Sequence, residues 1–128
     1  MAKDSAEAVR WWLQSAQNGI AEAQNRMGYL YEYGLGVPQD FREAARYFNS
    51  AAEQKLAVSE YNLGHMYQYG QGVQQDLVSA LMWFTLAAAK GDAEAKKRVE
   101  IVGMSMDPPQ ILEAKRRAAE WAPAKALK

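Results

Sequence analysis

Cysteine is absent from this chain of 128 residues. That excludes a disulfide scaffold, a thiol nucleophile, a C-x-x-C redox site and any zinc site built on thiolates. Histidine is nearly absent: His65 stands alone, so no His–His pair exists and no metal or other cofactor is expected. An excess of charge of either sign is also lacking, with 15 Lys plus Arg against 15 Asp plus Glu. A balanced chain has no global field to draw a polyanion or an anionic bilayer, so nucleic acid is not an expected partner. No apolar run approaches the ~20 residues that cross a bilayer, so no membrane insertion is expected. Met1-Ala2-Lys3-Asp4 lacks the apolar core of a secretory signal, which leaves a soluble protein of cytoplasm or periplasm as the expectation.

What the chain has in quantity is alanine, 23 residues of it. Alanine is the best helix former, so the composition points to an all-α protein with few of the residue types that catalysis needs. The second abundant feature is self-similarity. Shifted by 36 residues, the chain falls on itself without an insertion from residue 4 to 95. Ala21, Ala57 and Ala93 coincide, as do Asp4, Asp40 and Asp76, and Ala8, Ala44 and Ala80. Trp12 meets Phe48 and Phe84. Gly28 meets Gly64, Tyr31 meets Tyr67, Gly34 meets Gly70, Gly36 meets Gly72 and Val37 meets Val73. A fixed period of this length is the mark of a repeat array.

Each unit reads as two helices. The first, roughly 21–33 and 57–69, places Ala23, Met27 and Tyr31, then Leu63 and Tyr67, on one face at a spacing of four. Gly28 and Gly64 share that face. Glycine inside a helix costs about 1 kcal/mol against alanine, and close approach of a neighbouring helix backbone is the expected reason. The first helix stops at Gly34-Leu35-Gly36 and Gly70-Gln71-Gly72, where glycine supplies the left-handed residue past a helix end. The second helix starts at Asp40 and Asp76. Asp40 with Glu43 has capping-box spacing, and Asp4 with Glu7 repeats it.

The ends differ. Residues 4–18 read as a second helix with no first helix before it, which suggests a fragment or a lost upstream repeat. Beyond Ala93 the glycine pair is missing, and Asp107-Pro108-Pro109-Gln110 starts the last helix about five residues early. The division expected is one repeat domain over 1–122. It comprises a partial repeat at 4–20, repeats at 21–56 and 57–92, and a modified C-terminal cap at 93–122, followed by a flexible tail at 123–128.

The run Ala23-x-x-x-Met27-Gly28-x-x-Tyr31-x-x-Gly34-x-Gly36-Val37-x-x-Asp40-x-x-x-Ala44, followed by Tyr47-Phe48-x-x-Ala51-Ala52, resembles a Sel-one-like repeat. Residues 59–91 match more fully, and the resemblance extends over 4 to about 122. Ser59 in place of a small alanine and Lys55 in place of the closing glycine depart from it, and Lys55 leaves the ending of that helix open. The resemblance implies a right-handed α/α superhelix of stacked hairpins, like that of tetratricopeptide repeats. It also implies an adaptor role in signalling, envelope or virulence-related assemblies, with a protein or peptide as partner.

In the related tetratricopeptide fold the first helices line a concave groove. Carried onto this chain, the groove positions are Asn25, Tyr29, Glu32 and Tyr33, then Tyr61, His65, Gln68 and Tyr69, with Lys97 and Ile101 from the third unit. Tyrosine offers a large rigid contact area with a polar tip, as binding surfaces use. Against this stands packing of the same tyrosines between first helices. His65 has neither the companions of a metal ligand nor the nucleophile a general base would serve. Trp11 and its neighbours, left without a preceding helix, form an expected self-association surface over 4–18.

Some members of the resembled family are linked to β-lactam binding or hydrolysis. The serine version of that chemistry needs Ser-x-x-Lys, and none of Ser5, Ser15, Ser50, Ser59, Ser79 or Ser105 has lysine three residues on. Those members are also cysteine-rich. A non-catalytic interaction scaffold is therefore the expected function.

Overall fold

The computed structural model describes the backbone of residues 2–126 and the side chains of 6–121. The tail 123–128, expected to be flexible, lies outside the residues whose side chains are described. Among the described residues seven helices follow one another: α1 Ala2–Gln17, α2 Ala21–Tyr33, α3 Phe41–Glu53, α4 Ala57–Tyr69, α5 Leu77–Ala89, α6 Ala93–Gly103 and α7 Pro108–Ala126. Among the described residues there is no strand. Among the described residues no helix is long and apolar enough to cross a membrane.

The repeat is visible in how the helices stop and start. Gly34 and Gly70 both take φ 66° at the C-termini of α2 and α4. Two successive amides then share one orphan carbonyl: Gly34 and Leu35 both donate to the Leu30 oxygen, and Gly70 and Gln71 to that of Met66. The connection returns at once. The amide of Asp40 donates to the Tyr31 carbonyl at 2.9 Å, and that of Asp76 to Tyr67 at 3.0 Å. Each aspartate then caps the helix it opens, Asp40 accepting from Arg42 and Glu43, Asp76 from Val78 and Ser79.

The reciprocal half of the expected capping box is not made at Asp40, because its amide is engaged by Tyr31 and Glu43 pairs with Arg46 instead. At the start of α7 the box closes both ways. Gln110 donates its amide to Asp107 at 3.0 Å, and Asp107 donates to the Gln110 side chain at 3.1 Å. Asp4 lies inside α1, which is already helical at Ala2; its side chain is outside the described residues.

The two helix glycines answer first to a partner other than the one expected. A Cβ at Gly28 would stand 2.6 Å from the Phe48 ring, and one at Gly64 would stand 2.9 Å from that of Phe84. An aromatic ring of the unit's own second helix presses on the glycine face in both units, and at Gly64 the expected neighbouring backbone is present as well, the Ala80 carbonyl of α5 at 3.2 Å. Phe48 and Phe84 are fully buried there. Phe48 lies in a core with Ala44, Ala45, Ala52, Leu63, Met66, Trp83 and Leu86, which joins one unit to the next through α3 and α4, and Phe84 lies in a second core with Ala80, Leu81, Val102, Met106 and Ala114. Gly72 serves the same joint: a side chain there would collide with the Phe41 carbonyl at the start of α3. Lys55 takes φ 68°, the left-handed conformation that Gly19 and Gly91 hold at the same repeat position, so α3 ends in the regular way.

The last helix leaves the pattern. α7 packs on α5, with Ala118 in the shared core and Trp121 edge-on to Trp83 at 5.4 Å. The repeat position of Gly28 and Gly64 holds Glu100, and that of Phe48 and Phe84 holds Lys115 here brought close by the shortened loop; both line an open crevice with Val99 and Lys96. Ring and glycine are lost together, so nothing fixes α7 in the regular place against α6. The outer face of α7 is an ion ladder in which Glu113 takes Arg116 at 2.6 Å and Arg117 at 2.7 Å, and Arg116 also reaches Glu120 at 2.6 Å.

Candidate functional site

The first helices α2, α4 and α6 carry the side chains that the core does not use. Tyr29 and Tyr33, one turn apart on α2, set their rings 4.9 Å from each other and stay 42% and 57% exposed. On α4, His65 and Tyr69 repeat the arrangement at 4.8 Å, with Tyr69 51% exposed. The Tyr33 hydroxyl is held above its ordinary pKa, first by the Glu32 carboxylate and then by burial and by Tyr29 and Tyr61. Arg98 of α6 donates from Nη1 to the Tyr69 hydroxyl at 3.2 Å and is also hydrogen-bonded to Tyr61. Tyr61 and Tyr69 of α4 are thereby linked to α6. Burial, aided by the charge of Arg98, pushes the His65 pKa down and leaves the imidazole neutral near pH 7.

Other predicted residues have structural partners. Asn25 joins the units: its Oδ1 accepts from the buried Ser59 hydroxyl at 2.9 Å and from Asn62 at 3.0 Å. This also accounts for serine at a position where the repeat favours alanine. Tyr61 is half-buried with its ring 5.5 Å from that of Phe84. Gln68 has its Oε1 buried without a hydrogen-bond partner among the described residues. Glu32 is half-buried and its pKa is raised by that burial. Lys97 is exposed and reaches Glu94 on its own helix at 3.7 Å, while Ile101 is 48% exposed.

Three residues of this face were not anticipated: Arg26, Asn62 and Arg98. They occupy one repeat position, and the 36-residue shift alone aligns them. Arg26 lies over the Trp12 ring, 5.3 Å from its centre. With Tyr29, Leu56, Val58 and Asn62 it lines a surface pocket of about 440 Å³ between α2 and α4. Among the described residues no three His, Cys, Asp or Glu side chains converge as a metal site would require.

Stacked helical hairpins of constant length, each locked by a ring on a glycine and closed by a glycine stop and an aspartate cap, define an α-hairpin repeat protein. The Sel1 repeat signature matches residues 1–20, 21–56 and 57–92, and the chain belongs to the Sel1 repeat family. Among solved structures, one similar to it is a protective antigen of uropathogenic Escherichia coli displaying an SLR fold. That antigen is 29% identical with a TM-score of 0.88 over 96% of this chain. This chain spans 28% of the antigen's length. Another is a Sel1 repeat protein from Oxalobacter formigenes, 38% identical with a TM-score of 0.71 over 73% of this chain and 71% of that one. Among curated proteins, none matches the chain significantly. Sel1 repeat proteins are generally protein-interaction scaffolds.

Proposed function

We propose that this chain is a non-catalytic module that holds a peptide or protein partner against the face formed by α2, α4 and α6, the concave side of a Sel1 array. One observation carries the reading: Tyr29, Tyr33 and Tyr69 keep roughly half their surface in water, although each ring lies beside another ring and none belongs to the core. Aromatic side chains with polar tips, standing proud of a rigid helical layer, supply contact area at low entropic cost. The test is a double substitution, Tyr29→Ala with Tyr69→Ala. Neither ring supports the core, so the circular dichroism and melting temperature should stay as in the parent chain. Affinity for a captured partner should fall by about tenfold or more, the scale of a lost binding hot spot. Undiminished affinity overturns the assignment of this face.

A second surface supports self-association. Trp11 is 65% exposed on α1, with Ile20 at 50% and Leu35 at 45%. Exposed large apolar side chains at the end of a repeat array favour pairing with a like surface, here α1. The expected outcome is concentration-dependent dimerisation in light scattering, abolished by Trp11→Glu. A monomeric mass at high concentration contradicts it.

A further inference from the structure

Arg98 is a partly exposed arginine without a carboxylate partner among the described residues. Among the described residues no Asp or Glu lies within ion-pair distance of it, unlike Arg46, Arg116 and Arg117, which are all paired. The nearest acid on its own helix face, Glu94, is engaged by Lys97. What holds Arg98 in place is neutral: the Tyr69 hydroxyl at 3.2 Å and the hydroxyl of Tyr61. A guanidinium has five N–H donors in a rigid plane, so two tyrosine contacts leave donors unused. The tyrosine contacts outweigh the effect of burial and hold the guanidinium charged, so its spare donors are open to an anion from elsewhere. The planar fork matches a carboxylate in a bidentate pair, and the two hydroxyls have already fixed its orientation, which lowers the entropy lost on binding. His65 beside Tyr69 is neutral near pH 7 and does not compete for the anion. On the same layer, Tyr29, Leu56 and Val58 offer an apolar pocket for a neighbouring side chain.

We propose that Arg98 is the anchor for a carboxylate of the bound partner, so that this face takes an extended peptide presenting either an acidic side chain or its own C-terminal carboxylate. The inference rests on the reading of α2, α4 and α6 as the binding face and adds the chemistry of the ligand. A displayed library of random peptides is panned against the whole chain. Enriched sequences are then synthesised with free and with amidated C-termini, and with each Asp or Glu replaced by its amide. Their affinities are measured for the parent chain and for Arg98→Gln, Arg98→Lys, Tyr29→Ala and, as a control for general charge, Arg42→Gln on α3.

The expected result is enrichment of peptides carrying a carboxylate at one fixed place. Arg98→Gln weakens them about tenfold or more, the amide replacement at that place weakens them by a similar factor, and the two losses are not additive. Arg98→Lys recovers only part of the affinity, and Arg42→Gln leaves it unchanged. Loss on amidation of the C-terminus assigns the carboxylate to the chain end, and loss on Asp or Glu replacement assigns it to a side chain. The peptide replacements leave the protein untouched, so they read the anchor even if Arg98→Gln disturbs the tyrosines. Peptides that are weakened by Tyr29→Ala but indifferent to Arg98→Gln and to their own acids overturn the carboxylate anchor while leaving the face intact. Peptides indifferent to both Tyr29→Ala and Arg98→Gln, or no enrichment at all, overturn both readings.

Discussion

Lys55 closes the first complete unit at the position where Gly19 and Gly91 close its neighbours, with φ at 68° against 85° and 95°. For an L side chain the left-handed conformation costs roughly 1–2 kcal/mol. Glycine would relieve that strain and give back about 0.4–1 kcal/mol through the greater freedom of the unfolded chain. Relief of strain outweighs that loss, so Lys55→Gly should stabilise the fold by about 0.5–1 kcal/mol. A rise in the urea midpoint with unchanged slope checks this, and a fall refutes it. At the same scale, the sequence showed that Gly28 and Gly64 need a reason but did not say which atoms supply it. In both units the ring that presses on the glycine stands 20 residues later, at Phe48 and Phe84. Helical periodicity describes one helix at a time, so a contact between two helices has no periodic signature.

Between elements, one pair of positions has been solved in two ways. In the first complete unit Gln54 donates to Gln24 at 2.8 Å. In the second, Lys90 donates to both oxygens of Glu60 at 2.9 Å. The Glu60 carboxylate is fully buried, whereas Lys90 is about a third exposed. Burial raises the Glu60 pKa, and Lys90 and Lys55 only partly counter it. In the window just above the ordinary value of 4.5, the folded chain therefore still holds a proton that the unfolded chain has released. This group's contribution to stability consequently falls as pH rises through that window.

Glu113 on α7 acts in the opposite sense. Arg116 and Arg117 hold its pKa at about 2, so its contribution is present above 4.5 and is lost as pH drops toward 2, weakly because the site is exposed to salt. Lys90→Ala strands a buried carboxylate and should cost about 3 kcal/mol, the lower end of the range for such losses because water reaches the vacated lysine site. Glu60→Gln combined with Lys90→Gln rebuilds the pair of the first unit and should lie within about 1 kcal/mol of the parent. Denaturant unfolding of the two variants at pH 7 separates these outcomes; equal losses in both would refute the account.

Legibility also ended at the scale of elements. The hairpins, their glycine stops and their aspartate caps were readable because each is local and recurs at 36 residues. The path of α7 was not, because it follows from a contact that is missing: Glu100 and Lys115 stand where glycine and ring would meet, and Trp121 finds Trp83 instead.

Over the whole molecule, the sequence pointed to the first helices as the layer that carries exposed aromatic side chains. Tyr29, Tyr33 and Tyr69 stand exposed on the first helices, while Asn25 both bonds across the seam between units and lines the pocket beside Arg26. Arg98 was missed because a groove register carried over from a related fold names positions and not partners, and the bond from Arg98 to Tyr69 joins two helices. The absence of cysteine and the balance of charge fit this picture of a chain whose chemistry lies in a surface.

Hydrogen–deuterium exchange of the chain with and without its captured partner tests that surface most directly. The account predicts added protection along α2, α4 and α6, with α3 and the outer face of α7 unchanged. Protection centred on α3 and α5, with none on the first helices, would contradict it.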